Sequence, residues 1–171
     1  MDLGLRDRVF VVTGGSRGIG RGICIELAKL GATVVINYAG NEAAAQETAR
    51  LVREAGGPEP VVMGFDVSDA AAVDKAFDDI KTKVGGCHIL VNNAGISKDG
   101  LLLRFKDDDW NKTIQTNLFG SFACARAAAK LMTKQRWGRI INISSVVGET
   151  GNAGQVAYAA AKAGMIGVTK T

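Results

Sequence analysis

The sequence predicts a doubly wound α/β domain, and three observations carry that prediction. Apolar, β-branched runs recur at 9–12, 33–36, 61–65, 89–91 and 140–143, helical periods fill the spans between them, and glycines stand where those helices should stop. Strands that are apolar along their length are buried on both faces. Helices of a dozen or more residues between them make the strands parallel, joined by right-handed crossovers. One such domain of 171 residues buries a core without disulfides or metal.

Taken in order, the strand Val9 to Val12 leads through a glycine-rich turn into a helix with apolar positions Ile19, Ile23, Leu27 and Leu30, stopped at Gly31. The strand Thr33 to Ile36 precedes a helix from Asn41 to Ala55, stopped at Gly56. The strand Val61 to Phe65 precedes a helix capped at Asp69, carried by Val73, Phe77, Ile80 and Val84, and stopped at Gly85. The strand Ile89 to Val91 gives way to a loop from Asn93 to Lys106, in which Leu101, Leu102 and Leu103 read as packing residues. The acids Asp107 to Asp109 then open a long helix on Trp110, Ile114, Leu118, Phe122, Ala125, Ala129 and Met132, and Ile140 to Ile143 form the last strand.

Composition removes whole function classes. No apolar run approaches the roughly 18 residues of a membrane span. The net charge of +4 is spread along the chain rather than gathered in a nucleic-acid-binding block. A single histidine, His88, leaves neither a Cys/His zinc site nor a Ser-His-Asp hydrolase its parts, and it reads as a strand-end residue. Cys24, Cys87 and Cys124 are odd in number and set among apolar neighbours, the usage of reduced, packing thiols in a cytosol-like compartment. The first residues carry Asp2 and Asp7 and no apolar h-region, unlike a secretory or transit segment.

The turn Thr13-Gly14-Gly15-Ser16-Arg17-Gly18-Ile19-Gly20 leaves a strand and enters a helix, so its glycines let backbone amides close on a pyrophosphate at the positive helix end. A P-loop fails here, because Arg21 and Gly22 stand where its Lys and Ser/Thr belong. About 20 residues on, where an NAD site offers a carboxylate to the ribose, the second strand ends in Ile36-Asn37-Tyr38. With no acid there and Arg17 placed to receive a 2′-phosphate, NADP(H) is favoured over NAD(H). Asp66 and Asn92-Asn93-Ala94-Gly95 follow the third and fourth strands at the edge where open α/β sheets bind ligands; Asp66 reads equally well as a helix cap. Tyr158 and Lys162, four residues apart, share a helix face, and an ammonium there favours a phenolate. Ser144 and Ser145 end the fifth strand, at the same edge of the sheet. Asn117, inside an apolar helix, either caps a buried polar group or belongs to a proton relay.

Together, Thr13 to Gly20, Asn92 to Gly95, Asn117, Ser145 and the Tyr158/Lys162 pair resemble the short-chain dehydrogenase/reductase family in order and spacing. Within it, Val12 to Gly20, Gly138 to Ile143 and Gln155 to Gly164 look like the bacterial and plastid 3-oxoacyl-[acyl-carrier-protein] reductases. The resemblance implies one Rossmann-like NADP-binding domain over residues 1–171, with strand order 3-2-1-4-5, in a cytoplasmic or processed plastid protein. It implies Tyr158 as the catalytic acid, Lys162 favouring the phenolate and holding the nicotinamide ribose, Ser145 positioning the substrate oxygen and Asn117 supporting the relay. Its implied cofactor contacts are Gly14, Ser16, Arg17, Gly18, Ile19, Gly20, Asn37, Tyr38, Asp66, Val67, Asn93, Ala94 and Gly95, with Tyr158 and Lys162. The implied reaction is reduction of a 3-oxoacyl thioester, carried on acyl carrier protein or CoA, to the 3-hydroxyacyl thioester. Family members run on through two further strands, whereas this sequence stops at Thr171 without a helix stop signal. The fifth strand is therefore expected to be an apolar edge, and the family's homotetramer to give way to a smaller homo-oligomer. An inactive dinucleotide-binding fragment and a generic NADP-dependent ketone or alcohol dehydrogenase are the alternatives, separable by turnover.

Overall fold

The computed structural model describes residues 3–171. Five parallel strands, β1 (Val9–Val12), β2 (Thr33–Tyr38), β3 (Val61–Gly64), β4 (Ile89–Asn92) and β5 (Arg139–Asn142), form one sheet in the order β3-β2-β1-β4-β5. The register sets Val12 beside Ile36 and Val91, and Val91 beside Ile141. The order reverses between β1 and β4, so a crevice opens beyond their carboxyl ends.

The strand period of two divides the core. Val9, Val11, Val35 and Leu90 face one side, with Val73, Phe77 and Ile80 of α3 (Ala70–Val84) and the small residues Ala123, Cys124 and Ala127 of α5 (Gly120–Gln135). Phe10, Val12, Val34, Ile36 and Val91 face the other, with Cys24 and Ala28 of α1 (Gly18–Lys29) and Ala45, Ala49 and Val52 of α2 (Glu42–Glu54). The expected sheet order and two-sided covering are both present. Capping follows the sequence. Asn41 accepts the Ala44 amide, Asp69 accepts those of Ala71 and Ala72, and Gly31, Gly56 and Gly85 take positive φ just past their helices.

The buried faces of two helices differ from the periodic reading. In α1 the core takes Gly20, Cys24 and Ala28, leaving Ile19 69% and Leu30 41% exposed. In α5 it takes Gly120, Ser121, Ala123, Cys124, Ala127 and Ala128, with Leu131 and the expected Met132 at its far end, while Phe122, and Trp110 in the helix before it, are exposed. Close approach of helix to sheet selects small side chains, so apolar volume does not mark the inward face. Leu101, Leu102 and Leu103 are exposed too, rather than packed. Between α4 (Asp107–Ile114) and α5 the helix widens into a π-helical segment over Gln115–Phe119. After β5 come the single turn α6 (Val147–Thr150) and α7 (Val156–Lys170), which packs on α4, α6 and the π segment. In β5, Arg139, Ile140 and Ile141 are exposed, as expected of an edge. Cys24, Cys87 and Cys124 are buried free thiols, each pushed up to about 12 by burial. Among the described residues no helix is long and apolar enough to cross a membrane.

Candidate active site

The turn after β1 is held by side chains from two neighbouring strand ends. Thr13 Oγ1 donates to the Val91 carbonyl (3.3 Å) and accepts the amides of Asn93 and Ala94, both at 3.0 Å. Asn93 Nδ2 donates to the carbonyls of Thr13 (2.9 Å) and Gly14 (3.2 Å). Buried Asn37 accepts the Gly14 amide at 3.0 Å and donates to the Phe65 carbonyl at 2.9 Å, so one amide joins the ends of β1, β2 and β3. Gly14 and Gly18 have φ of +62° and +56°, and a Cβ on Gly20 would stand 2.3 Å from the Gly14 carbonyl oxygen. The sequence reading missed two supports. Arg21 Nε donates to Thr48 Oγ1 at 3.0 Å, its Nη2 donates to the Ser16 carbonyl at 2.8 Å, and Thr48 Oγ1 donates to the same carbonyl at 3.0 Å. Their signal in sequence was only that of a helix-surface arginine and a helical threonine.

This turn borders a cavity of about 520 Å³ at the carboxyl edge of the sheet. All thirteen residues from Gly14 to Gly95 named above as cofactor contacts line it, together with Ala39, Gly40, Asn41, Phe65, Ile96 and Thr116. No side chain caps α1 and its first turn holds no acid, in contrast to the acids opening α2 and α4. Gly18, where a Cβ would meet nothing within 4 Å, leaves that helix end open. An uncapped positive helix end beside a glycine cradle fits the phosphates of a dinucleotide. Arg17 is exposed on the cavity rim, and burial and the Glu42 carboxylate together push the Tyr38 phenol up. Asp66 is not a helix cap: its carboxylate accepts the Ser68 amide at 2.9 Å and the Ser68 hydroxyl at 2.7 Å, and Asp69 caps α3.

A second cavity, of about 450 Å³, adjoins the first through Ile19, Asn93, Gly95 and Ile96 and is closed by Ser144, Val147, Gln155, Tyr158 and Lys162. Lys162 is buried; its Nζ donates to the Ile143 carbonyl at 2.6 Å and lies 5.6 Å from the centre of the Tyr158 ring. Burial lowers its pKa from the ordinary value, while the carbonyl and the π-face both favour the ammonium. Ser145 Oγ accepts the Val147 amide at 3.2 Å, and Ser144 Oγ donates to the Lys162 carbonyl at 3.0 Å. Of the two serines, Ser144 is the one among the residues closing this cavity. Asn117, wholly buried in the π segment, pairs twice with one residue: Oδ1 accepts the Ile96 amide and Nδ2 donates to the Ile96 carbonyl, both at 2.8 Å. It thus fixes the cleft wall formed by Ile96.

A tyrosine phenol, a buried lysine and a glycine cradle therefore share one connected cleft. The family described as short chain dehydrogenase matches residues 8–171. The chain belongs to this family. Relatives include the 3-oxoacyl-[acyl-carrier-protein] reductases of Synechocystis sp. (47% identical over 167 residues, 98% of this chain and 67% of the relative) and Pseudomonas aeruginosa (47% over 168 residues, 98% and 67%). That of Aquifex aeolicus is 44% identical over 171 residues, 100% of this chain and 68% of the relative. The chain thus spans about two thirds of the length of these proteins. As a short-chain dehydrogenase it is an oxidoreductase that uses a nicotinamide dinucleotide.

Proposed function

We propose that this short-chain dehydrogenase reduces 3-oxoacyl thioesters carried on acyl carrier protein or CoA to 3-hydroxyacyl thioesters, with NADP(H) as cofactor. The observation that carries the reading is the placement of Tyr158 and Lys162 on the cavity that continues directly from the glycine cradle; the names of the relatives supply the substrate class. Gly14, Ser16 to Gly20, Asn37, Tyr38, Asp66, Val67 and Asn93 to Gly95 hold the dinucleotide, and Arg17 takes a 2′-phosphate at the rim. When bound, the cofactor supplies a hydride to the substrate's C3 carbonyl carbon. The chain's own groups manage the proton and the orientation. Tyr158 Oη gives its proton to the carbonyl oxygen as negative charge develops there. Lys162, held by Ile143, stabilises the phenolate left behind, Ser145 orients the carbonyl oxygen, and Asn117 keeps the Ile96 wall in place and supports the proton relay.

The test is consumption of NADPH by the purified chain with an acetoacetyl thioester, alongside Tyr158→Phe. Turnover is expected, with a loss of about 10²-fold or more in the variant. Reduction of free ketones but not of thioesters, or a Tyr158→Phe chain as active as the parent, overturns the reading.

A further inference from the structure

The cleft has two walls that come from distant parts of the chain. One is the loop after β4, with Ile96 and Ser97; the other is the segment from Ser144 to the first turn of α7, with Val147 and Tyr158. The inner end of the loop is held by Asn117. Its outer end meets the other segment, where the Gly100 amide donates to the Gly154 carbonyl at 2.8 Å.

Around that backbone contact stands a small polar cluster centred on Gln155. Its Nε2 donates to Asp99 Oδ1 at 3.2 Å and to Ser97 Oγ at 3.4 Å, and its Oε1 accepts from Asn152 Nδ2 at 2.9 Å. Ser97 Oγ donates to Asp99 Oδ1 at 2.8 Å, so the loop side of the cluster is itself braced. Gln155 occupies the N-cap position of α7, yet its side chain caps nothing there. Helix N-caps favour short side chains that turn back on their own amides. Here a longer amide forgoes that local stabilisation and reaches the opposite wall. The helix still begins from its backbone, the Ala159 amide donating to the Gln155 carbonyl at 2.8 Å. Tyr158 lies three residues on, within the same first turn, so a displacement at Gln155 is carried to the phenol.

We propose that Gln155 is a positioning residue, anchored on Asp99, which ties the loop 97–100 to the start of α7 and so sets where the Tyr158 hydroxyl stands relative to a carbonyl held in the cleft. The proposal rests on the reductase reading for its kinetic consequence but not for its mechanical one. Loss of the tie leaves the glycine cradle untouched, since Thr13, Asn37 and Asn93 hold that independently. Its signature is a defect in the chemical step with cofactor affinity intact, because small misplacement of a reacting group is costly in rate.

The test uses the full chain as parent, Gln155→Ala, Gln155→Glu, and the double variant Asp99→Asn with Gln155→Glu. The double variant exchanges donor and acceptor across the gap. Hydrogen exchange at the Gly100 amide is read beside kcat, KM for acetoacetyl-CoA and the Kd of NADPH. Gln155→Ala is expected to speed Gly100 exchange and lower kcat, each about tenfold, with Kd held within about twofold. Gln155→Glu, which sets two carboxylates face to face, is expected to fall further, and the double variant to recover most of that loss. Unchanged Gly100 exchange in Gln155→Ala, or a double variant no better than Gln155→Glu, overturns the proposal. If the parent reduces no thioester, the function reading fails while the exchange comparison still judges the tie.

Discussion

Replacing Asn117 with alanine tests the joint between the long helix and the catalytic cleft. The side chain is wholly buried and makes two 2.8 Å hydrogen bonds, both to the backbone of Ile96. Alanine removes both at once and leaves the Ile96 amide and carbonyl without these partners. At about 1–2 kcal/mol for each part-buried group left unpaired, less a few tenths regained from alanine's helix propensity, the loss is about 2–4 kcal/mol. For a domain of this size that lowers Tm by about 5–15 °C. Asn117→Asp keeps the acceptor for the Ile96 amide but turns an oxygen toward the Ile96 carbonyl, so it should be no more stable than the alanine variant. Thermal unfolding followed by circular dichroism, with hydrogen exchange at the Ile96 amide, reads both effects. A Tm for Asn117→Ala within about 2 °C of the parent, with Ile96 still protected, refutes the reasoning.

Three further outcomes are expected. Gly20→Ala would drive a methyl to 2.3 Å from the Gly14 carbonyl oxygen and 2.6 Å from Asn93 Nδ2, costing about 1–3 kcal/mol and abolishing dinucleotide binding, whereas Gly22→Ala, with nothing within 4 Å, should stabilise by about 0.5–1 kcal/mol; urea titrations of the pair check both. Arg17→Ala should weaken NADPH by about 1.5–3 kcal/mol and NADH far less, and equal losses in a fluorescence titration would remove the 2′-phosphate contact. Burial lowers the Lys162 pKa from 10.5, so between the folded value and 10.5 the unfolded chain holds more protons and stability contributed by this residue rises with pH; urea titrations against Lys162→Met across that interval should show the parent gaining, and a flat difference would refute burial as the cause.

The sheet was legible because its signal is local: β-branched runs, caps such as Asn41 and Asp69, and glycines past the helix ends each act within a few residues. The glycine turn was legible for the same reason. Which face of α1 and α5 turns inward was not, since the core there selects Gly20, Cys24, Ala123 and Ala127 for closeness rather than for apolar size. The π segment at Gln115–Phe119 left no mark either, because one added residue per turn preserves the general apolar spacing on both sides of it. Arg21, Thr48 and Gln155 went unread as supports for a further reason. Each acts through a partner 27 to 58 residues away in the chain, and no spacing rule reaches that far.

Asn37 bears on any effort to redesign cofactor preference. The end of β2 is the usual place to introduce an acid that selects the unphosphorylated nucleotide. In this chain that position is only 2% exposed, and its amide is committed at both atoms, to the Gly14 amide and the Phe65 carbonyl. An aspartate there would meet the Phe65 carbonyl oxygen to oxygen and release the cradle it was meant to retune. Selectivity and scaffold are coupled at residue 37 and separable at residues 38–41, where the lining is reached without cutting the amide that joins three strands. A library for exchanging the nucleotide should hold Asn37 constant and vary its successors.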